Sequence, residues 1–189
     1  MAKVYEFLAN GFETIEALIP LDILRRGGLD VQTVSIHDTL GVVSAQGVKV
    51  EADLLLADAD LANADLLMLP GGMPGAKNLM ECAPLREALL AHHAAGKTLA
   101  ANCAAPMVLG SLGILKGKKA TCFPGFEPYL DGAILTGDVI AMDGNIVTGE
   151  GPAAAVPWGY TLLSLFVGFE KMKEVQRDMR YLHLMGVEA

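Results

Sequence analysis

The chain has 189 residues, 52% of them hydrophobic, and carries a formal net charge of −8 at pH 7. This length suits one well-buried domain covering residues 1–189, and the scattered Lys and Arg residues form no basic stripe that would hold a nucleic-acid scaffold. Charged residues, Gly and Pro interrupt the apolar runs before they reach membrane-spanning length, and the amino terminus lacks a signal-peptide pattern, so we expect a cytoplasmic protein without membrane contact.

The hydrophobic pattern predicts strands and helices in alternation along the chain. Strands are predicted at residues 4–8, 31–36, 48–56, 65–70, 98–102 and 120–123, followed by a hairpin at 139–142 and 145–148. Helices are predicted at residues 14–26, 84–95, 153–167 and 170–184. This alternation is typical of an α/β protein in which helices cover both faces of a mostly parallel sheet, with the hairpin as an addition. Ligands of such sheets bind at the carboxyl ends of the strands.

Cys103 lies at one of these strand ends, in the run Thr98-Leu-Ala-Ala-Asn-Cys-Ala-Ala-Pro106. An apolar strand ends at the cysteine, and a helix with proline near its start follows. Unpaired amides at a helix N-terminus carry partial positive charge, which stabilises a thiolate or an oxyanion. A turn from strand to helix is also the arrangement of a nucleophile elbow, and Ala101, Ala104 and Ala105 let the backbone turn sharply. We favour a nucleophile over the alternative, an inert buried thiol.

The other cysteines, Cys82 and Cys122, make an odd set with Cys103 and show no Cys-x-x-Cys spacing. This pattern argues against a disulfide framework and against a cysteine zinc site, so we expect reduced thiols. The histidines lack metal-ligand spacing as well. The loop at residues 10–13 holds a single glycine instead of a phosphate-binding signature, so we expect neither a metal nor a nucleotide or flavin cofactor.

Gly71 and Gly72 follow the predicted strand at residues 65–70, where missing side chains let a backbone N–H approach a ligand closely. The amide of Gly72 and that of Ala104, the residue after the candidate nucleophile, would form an oxyanion hole. The alternative interpretation of the two glycines is a turn without a binding role.

Glu13 and Glu16 lie where the first strand passes into the first helix. Glu13 is suited to the helix start, where a carboxylate interacts favourably with the helix dipole. Glu16 lies one turn further on, between Ile15 and Ala17. It is either a second dipole partner or a buried carboxyl with a raised pKa, which would share a proton with sulfur or substrate.

Four motifs follow one another along the chain: Gly11-Phe-Glu-Thr-Ile-Glu-Ala17, Pro20-Leu-Asp-Ile-Leu-Arg-Arg-Gly27, Leu69-Pro-Gly-Gly72 with Gly75-Ala-Lys-Asn78, and Ala100-Ala-Asn-Cys-Ala-Ala-Pro106. Together they resemble the ThiJ/PfpI superfamily, specifically its parkinsonism-associated deglycase, or DJ-one-like, branch, over nearly the whole chain. The resemblance implies a flavodoxin-like three-layer sandwich, a homodimer, a nucleophilic and oxidation-sensitive cysteine at Cys103, and a protonated glutamate at Glu16. It also implies an oxyanion-binding pair at Gly72 and Ala104.

The activities that the resemblance implies are cofactor-free glyoxalase chemistry, in which methylglyoxal becomes lactate, deglycation of early glyoxal adducts, and redox-dependent chaperone or stress-response behaviour. Relatives that work as proteases or amidotransferases carry a histidine close to the nucleophile, often immediately after it, where this chain has Ala104. Several members of the deglycase branch carry a pocket histidine at the position of Phe123, and the family's late Gly-Pro-Gly-Thr turn becomes Gly151-Pro-Ala-Ala154 after Glu150. We expect Gly71 and Phe123 to line the pocket, with Phe123 making it more apolar and Glu150 adding negative charge to its wall.

Two hypotheses lead. In the first, the chain is a cofactor-independent enzyme in which Cys103 attacks small 2-oxoaldehydes, or their early adducts with amines and thiols, while Glu16 moves protons. In the second, it is a redox-sensing or chaperone-like stress protein in which the same sulfur is oxidised. A binding module without chemistry and a cysteine peptidase or amidotransferase-like hydrolase rank below them. The apolar spacing of residues 15–23 predicts a first helix that serves both the core and a dimer partner.

Overall fold

The structure is a computed structural model that describes residues 1–187, in which helices lie on both faces of a seven-stranded sheet. The strands are β1 (Lys3–Leu8), β2 (Asp30–Ser35), β3 (Gly41–Val43), β4 (Lys49–Glu51), β5 (Leu54–Leu55), β6 (Leu66–Leu69), β7 (Thr98–Asn102), β8 (Lys119–Ala120), β9 (Ile134–Leu135), β10 (Ile140–Asp143) and β11 (Ile146–Gly149). The helices are α1 (Thr14–Arg26), α2 (Gly75–Glu81), α3 (Ala83–Ala94), α4 (Pro106–Ser111), α5 (Ala155–Asp178) and α6 (Tyr181–Leu184). Short 3-10 turns lie at Leu56–Asp58, Leu61–Asn63, Glu127–Tyr129 and Pro152–Ala154.

The strands of the main sheet run in the order β10-β11-β7-β6-β1-β2-β5. Neighbouring strands pair in parallel, except that β10 and β11 are antiparallel. The four residues of β6 are all buried, as a parallel strand covered on both faces requires. The expected α/β, flavodoxin-like architecture is confirmed. Because parallel strands end on the same side, the carboxyl ends of β1, β6 and β7 meet at one edge of the sheet.

Two apolar layers hold the helices against the sheet. On one face, α2, α3 and α4 pack over Phe7, Leu67 and Leu99. On the other face, α1 and α5 pack over Val4 and Met68. Alternate residues of each strand point to opposite faces, so the same strands supply both layers.

The predicted hairpin is present, but it is not an addition outside the main sheet. Its second strand, β11, pairs in parallel with β7, and Gly149 lies opposite Asn102. Only β10 adds an antiparallel edge. Local sequence predicts the turn between two strands, whereas the parallel partner of β11 lies more than forty residues away along the chain. The loop after β11 is thereby placed beside the loop after β7.

Two predicted strands are shorter than expected because side chains or loop backbone take the place of strand pairing. The stretch at residues 48–56 divides at Asp53 into β4 and β5, which lie in different sheets. The Asp53 carboxylate accepts hydrogen bonds from the backbone N–H and the hydroxyl of Thr33. The strand at residues 120–123 ends at Ala120. Beyond it, the Thr121 N–H donates to the Thr148 hydroxyl at 2.9 Å.

Among the described residues, the helical stretch Pro152–Asp178 is long and apolar enough for a membrane span by length and composition alone. Its backbone is not helical at Gly168, which has φ 79° and separates the two helices predicted on either side of it. Trp158 and Leu162 are fully buried against the sheet layer, which is the environment of a core helix. The second predicted helix also stops early, because Arg180 adopts a left-handed conformation before α6.

Glu6 is a buried carboxyl in the middle of β1. It is 0% exposed, and neither carboxyl oxygen has a hydrogen-bond partner among the described residues. Burial raises the pKa of Glu6 well above its ordinary value, against a lowering effect from the charge of Arg25. Folded Glu6 therefore keeps its proton at pH values where a glutamate in the unfolded chain has lost it.

We expect the stability of the Glu6→Gln variant relative to the wild type to increase as the pH rises above about 5. The unfolded wild type binds fewer protons than the folded form in this range, so rising pH favours unfolding, by about 1.4 kcal/mol per pH unit. Glutamine does not titrate and removes this contribution. Urea unfolding of both proteins between pH 5 and pH 8 measures the difference, with Glu51→Gln at an exposed position as the control. A difference that does not change with pH would contradict the prediction.

Candidate active site

Cys103 occupies the predicted turn between a strand and a helix. It directly follows β7 and precedes α4 by three residues, and its φ of 60° is unusual for a residue other than glycine. The Cys103 N–H donates to the Gly149 carbonyl oxygen at 2.9 Å, and the residue is only 7% exposed. The predicted position of Cys103 between a strand and a helix is thus observed, and its role as the nucleophile of an elbow stays a prediction.

Two backbone amides are directed at the sulfur of Cys103. Hydrogen bonding from the N–H groups of Gly72 and Ala104 lowers the pKa of the thiol, in opposition to burial. Gly72 has φ 84°, and a Cβ there would overlap the backbone N of Glu13. Only glycine therefore fits where the Gly72 amide approaches the sulfur. The structure brings together the two residues predicted as an oxyanion-binding pair.

Glu16 is fully buried in the first turn of α1 and faces the same point. Its Oε2 accepts a hydrogen bond from the Gly71 N–H at 2.8 Å, while Oε1 is buried without a hydrogen-bond partner among the described residues. The Glu13 carboxylate caps the helix by accepting from the Glu16 N–H at 2.8 Å, as the sequence predicts. Burial raises the pKa of Glu16 to about 7, with a smaller contribution from the charge of Glu13, while the Cys103 thiol and the Gly71 N–H lower it.

The pKa of the Cys103 thiol is raised to about 12, first by burial and then by the charge of Glu16 and the hydrogen bond to it. The helix amides were expected to lower this pKa, and the direction is the opposite because burial, followed by the charge of Glu16, outweighs them. Cys103 and Glu16 titrate as a pair, so between about pH 7 and about pH 12 they hold one proton together. When the sulfur is a thiolate in this range, the proton is on Glu16.

Gly71 lies between the two members of this pair. A Cβ on Gly71 would be 2.7 Å from both the Cβ of Cys103 and the Oε2 of Glu16. In the structure, the missing side chain of Gly71 lets the thiol and the carboxyl approach each other, and its predicted role in the pocket stays a prediction.

We expect Gly71→Ala to cost about 1–3 kcal/mol of unfolding free energy, because the added methyl group overpacks a site without free space. Gly41→Ala is the matched control, since Gly41 has no heavy atom within 4 Å of an added Cβ. Urea unfolding midpoints of the two variants measure the difference. Equal costs would contradict the close packing at Gly71.

Phe123 lies beside Cys103 on the surface. Its N–H donates to the Cys103 carbonyl oxygen at 2.9 Å, and 43% of the residue is exposed. Phe123 and Glu150 line a cavity of about 270 Å³, together with Pro124, Gly151, Pro152 and Ala153. The cavity adjoins Cys103 through the backbone of Phe123, and Cys103, Glu16 and Gly71 are not among the residues that line it.

Asn102 is a site residue that the sequence analysis does not single out. It is fully buried, and its Nδ2 donates to the Gly151 carbonyl oxygen at 3.1 Å. Gly149 has no side chain where a Cβ would overlap Oδ1 of Asn102. Asn102 thus ties the loop after β11 to the strand that ends at Cys103. An available signal is that Asn102 is the one polar residue between Leu99 and Pro106 other than the cysteine.

Within residues 1–187, no three side chains of His, Cys, Asp or Glu converge to hold a metal ion. Cys103 and Glu16 form a pair, and the backbone amides of Gly71, Gly72 and Ala104 complete their polar surroundings. The arrangement brings together a thiol, a carboxyl that shares its proton and two backbone amide donors, which are the groups that nucleophilic attack on a carbonyl requires.

A flavodoxin-like sheet with a cysteine elbow and a buried glutamate at its carboxyl edge defines a class of α/β proteins with a thiol–carboxyl site. Residues 2–165 match the DJ-1/PfpI family, and the chain belongs to this family. It is 41% identical over 175 residues to protein DJ-1 homolog B of Arabidopsis thaliana, a match that covers 92% of this chain and 40% of the relative. The chain therefore spans less than half the length of that relative.

Two further comparisons cover nearly the whole of both partners. The structure of oxidized DJ-1 from Toxoplasma gondii is 34% identical, with a TM-score of 0.91, and the match covers 95% of this chain and 98% of that one. A Caenorhabditis elegans relative named glutathione-independent glyoxalase DJR-1.2 is 29% identical over 175 residues, covering 88% of this chain and 89% of the relative. The predicted family is confirmed. The catalytic roles of Cys103, Glu16, Gly72 and Ala104 stay predictions.

Proposed function

We propose that the protein is a cofactor-independent cysteine enzyme that converts small 2-oxoaldehydes, or their early adducts with amines and thiols, into 2-hydroxy acids. The observation that carries this proposal is the convergence of the Cys103 sulfur, the Glu16 carboxyl and the amides of Gly72 and Ala104 at one strand edge. The name of the C. elegans relative, a glutathione-independent glyoxalase, supports the same chemistry.

In the first step, the Cys103 sulfur attacks the aldehyde carbon of methylglyoxal. The carbon–oxygen double bond opens, and the charge that develops on oxygen is stabilised by the amides of Gly72 and Ala104. The single proton of the pair is on Glu16 once the carbon–sulfur bond has formed, whichever atom held it before. Glu16 then delivers this proton to the oxygen, giving a hemithioacetal. A free thiolate of low pKa is therefore not required.

In the second step, Glu16 moves protons within the hemithioacetal. It removes the proton on the carbon bonded to sulfur and returns one to the neighbouring carbon through an enediol, so the former aldehyde carbon becomes a thioester and the ketone becomes an alcohol. Water then hydrolyses the thioester to lactate and releases the Cys103 thiol. The overall change is methylglyoxal plus water to lactate, with no external electron donor or acceptor.

The test is lactate formation from methylglyoxal by the purified protein, without glutathione and with a metal chelator present. We expect turnover that is proportional to enzyme concentration. A control lacking enzyme corrects for the spontaneous reaction, and lactate formation at the control rate would contradict the proposal.

A second candidate function uses the same sulfur as a redox sensor. The similar solved structure from Toxoplasma gondii is that of oxidized DJ-1. A protonated Glu16, whose Oε1 has no hydrogen-bond partner within residues 1–187, would donate a hydrogen bond to an oxidised sulfur. Mass spectrometry after mild peroxide treatment should find two added oxygen atoms selectively at Cys103, and equal oxidation at Cys82 and Cys122 would count against a sensor.

We also propose that the protein is a homodimer through α1. Ile15 is 45% exposed on this helix, and Leu18, one turn further on, is half-buried. We expect sedimentation of the wild type to show a dimer and the Ile15→Glu variant to shift toward the monomer, because a charge would be buried in an apolar contact. A wild type that sediments only as a monomer would contradict the proposal.

A further inference from the structure

Backbone hydrogen bonds place the cavity lined by Phe123 and Glu150 next to Cys103. The Phe123 N–H donates to the Cys103 carbonyl oxygen at 2.9 Å, and the Cys103 N–H donates to the carbonyl oxygen of Gly149 at 2.9 Å. Glu150 directly follows Gly149. The aromatic wall and the acidic wall therefore each begin within one residue of a direct backbone contact with Cys103.

The walls offer an unusual combination of groups. Of the six residues that line the cavity, Glu150 is the one charged residue, and it is negative. The aromatic ring of Phe123 packs beside Gly151, the residue after Glu150, where a Cβ on Gly151 would lie 3.1 Å from a ring carbon. A carboxylate and an aromatic face both attract an organic cation, and both disfavour an anion.

Hydrogen bonds hold the backbone around Glu150 in place. The Asn102 side chain donates to the Gly151 carbonyl oxygen at 3.1 Å, and the Glu150 N–H donates to the Val139 carbonyl oxygen at 3.0 Å. A cavity of about 270 Å³ is slightly smaller than typical small-molecule sites, so it suits the end group of a small ligand.

We propose that Glu150 and Phe123 form a subsite for the positively charged end of the substrate, an ammonium or guanidinium group carried in a small molecule a few bonds from the reactive carbonyl carbon. This inference rests on the proposed function and specifies its substrate class: carbonyl adducts of small amine-bearing molecules. Substrates that carry a carboxylate at the same position are disfavoured by Glu150.

The first test measures the charge preference at Cys103 without any turnover. Methanethiosulfonate reagents of similar size carry either a trimethylammonium or a sulfonate group, and the sulfur attacks both in the same way, forming a disulfide and releasing methanesulfinate. The ratio of the two rate constants at Cys103, obtained by peptide mass spectrometry at low ionic strength, reports the local potential.

We expect the wild type to favour the cationic reagent. The ratio of the cationic to the anionic rate constant should fall roughly fivefold in Glu150→Gln and further in Glu150→Lys. It should be unchanged in Glu87→Gln, which changes the net charge by the same amount as Glu150→Gln but at an exposed site on α3. If Glu150→Gln leaves the ratio at the wild-type value, the subsite is wrong, whatever the turnover assay shows.

The second test compares hemithioacetals that methylglyoxal forms with thiocholine, 2-mercaptoethanol and 3-mercaptopropionate, which are cationic, neutral and anionic; thiocholine is used because its quaternary ammonium group cannot cyclise onto the carbonyl carbon. We expect kcat/KM to fall in this order for the wild type, and the order to flatten in Glu150→Gln. Phe123→Leu should reduce the advantage of the cationic adduct alone. Equal kcat/KM values for the three adducts would contradict the proposed substrate class but not the glyoxalase activity. Absence of turnover for all three adducts would contradict only the proposed function.

Discussion

Replacing Cys103 with alanine is expected to lower kcat/KM for methylglyoxal by at least about 10³-fold, because the carbon–sulfur bond of the proposed intermediate cannot form. The amides of Gly72 and Ala104 and the carboxyl of Glu16 stay in place. Any residual rate would therefore report what these groups achieve without a nucleophile. Lactate formation, followed at high enzyme concentration, measures the loss.

Cys122→Ala is the matched control for this substitution. Cys122 is also a buried free thiol, 8% exposed, next to Phe123, and burial likewise raises the pKa of its thiol, to about 11. It has no amide pair and no buried carboxyl assigned to it in the mechanism, so its loss should leave kcat nearly unchanged. Equal rates in the wild type and in Cys103→Ala would remove the enzyme proposal.

Glu16→Gln is expected to lower kcat by about 10²–10⁴-fold, because glutamine cannot accept or deliver the proton that both steps require. The amide oxygen of glutamine can still accept from the Gly71 N–H, so the variant keeps the contact that orients the side chain. A higher KM with an unchanged kcat would contradict the role of Glu16 in proton transfer.

The pH dependence gives an independent measurement of the same pair. In the wild type, kcat/KM should rise as the pH passes about 7, where the pair loses its first proton, and then level off. In Glu16→Gln, the charge that raises the pKa of the Cys103 thiol is absent, so the thiol pKa falls below its wild-type value of about 12 and the remaining activity follows thiol ionisation. A variant profile that still rises through pH 7 would assign this ionisation to another group.

The positions of the site residues could be predicted from the sequence because each depends on a local pattern. The bounds of α1 and β7 agree with those predicted, since periodic apolar residues and a glycine stop specify them without reference to other segments. The elbow at Cys103 follows from β7 and from Pro106 shortly after it. By contrast, α2 was not predicted, because glycine and proline at the start of this helix give a turn signal.

The pairing of β11 with β7 and the early end of β8 could not be predicted, because both depend on partners far along the chain. The N–H groups of Thr121 and Phe123 donate to Thr148 and to Cys103, and no local pattern in residues 120–123 distinguishes these bonds from strand pairing. These contacts create the cavity beside Cys103, so its two defining residues, Phe123 and Glu150, come together only in the folded chain.

The sequence by itself determined that this is an α/β protein of the DJ-1/PfpI type, with a cysteine at a strand-to-helix turn and a glutamate in the first turn of the first helix. Only the tertiary structure decided what state these groups are in. A pKa depends on burial and on charges across space, and Glu16, Gly71 and Cys103 come from three separate strand ends. The sequence therefore predicts a reactive thiol, whereas the packed structure shows a thiol and a carboxyl that share one proton.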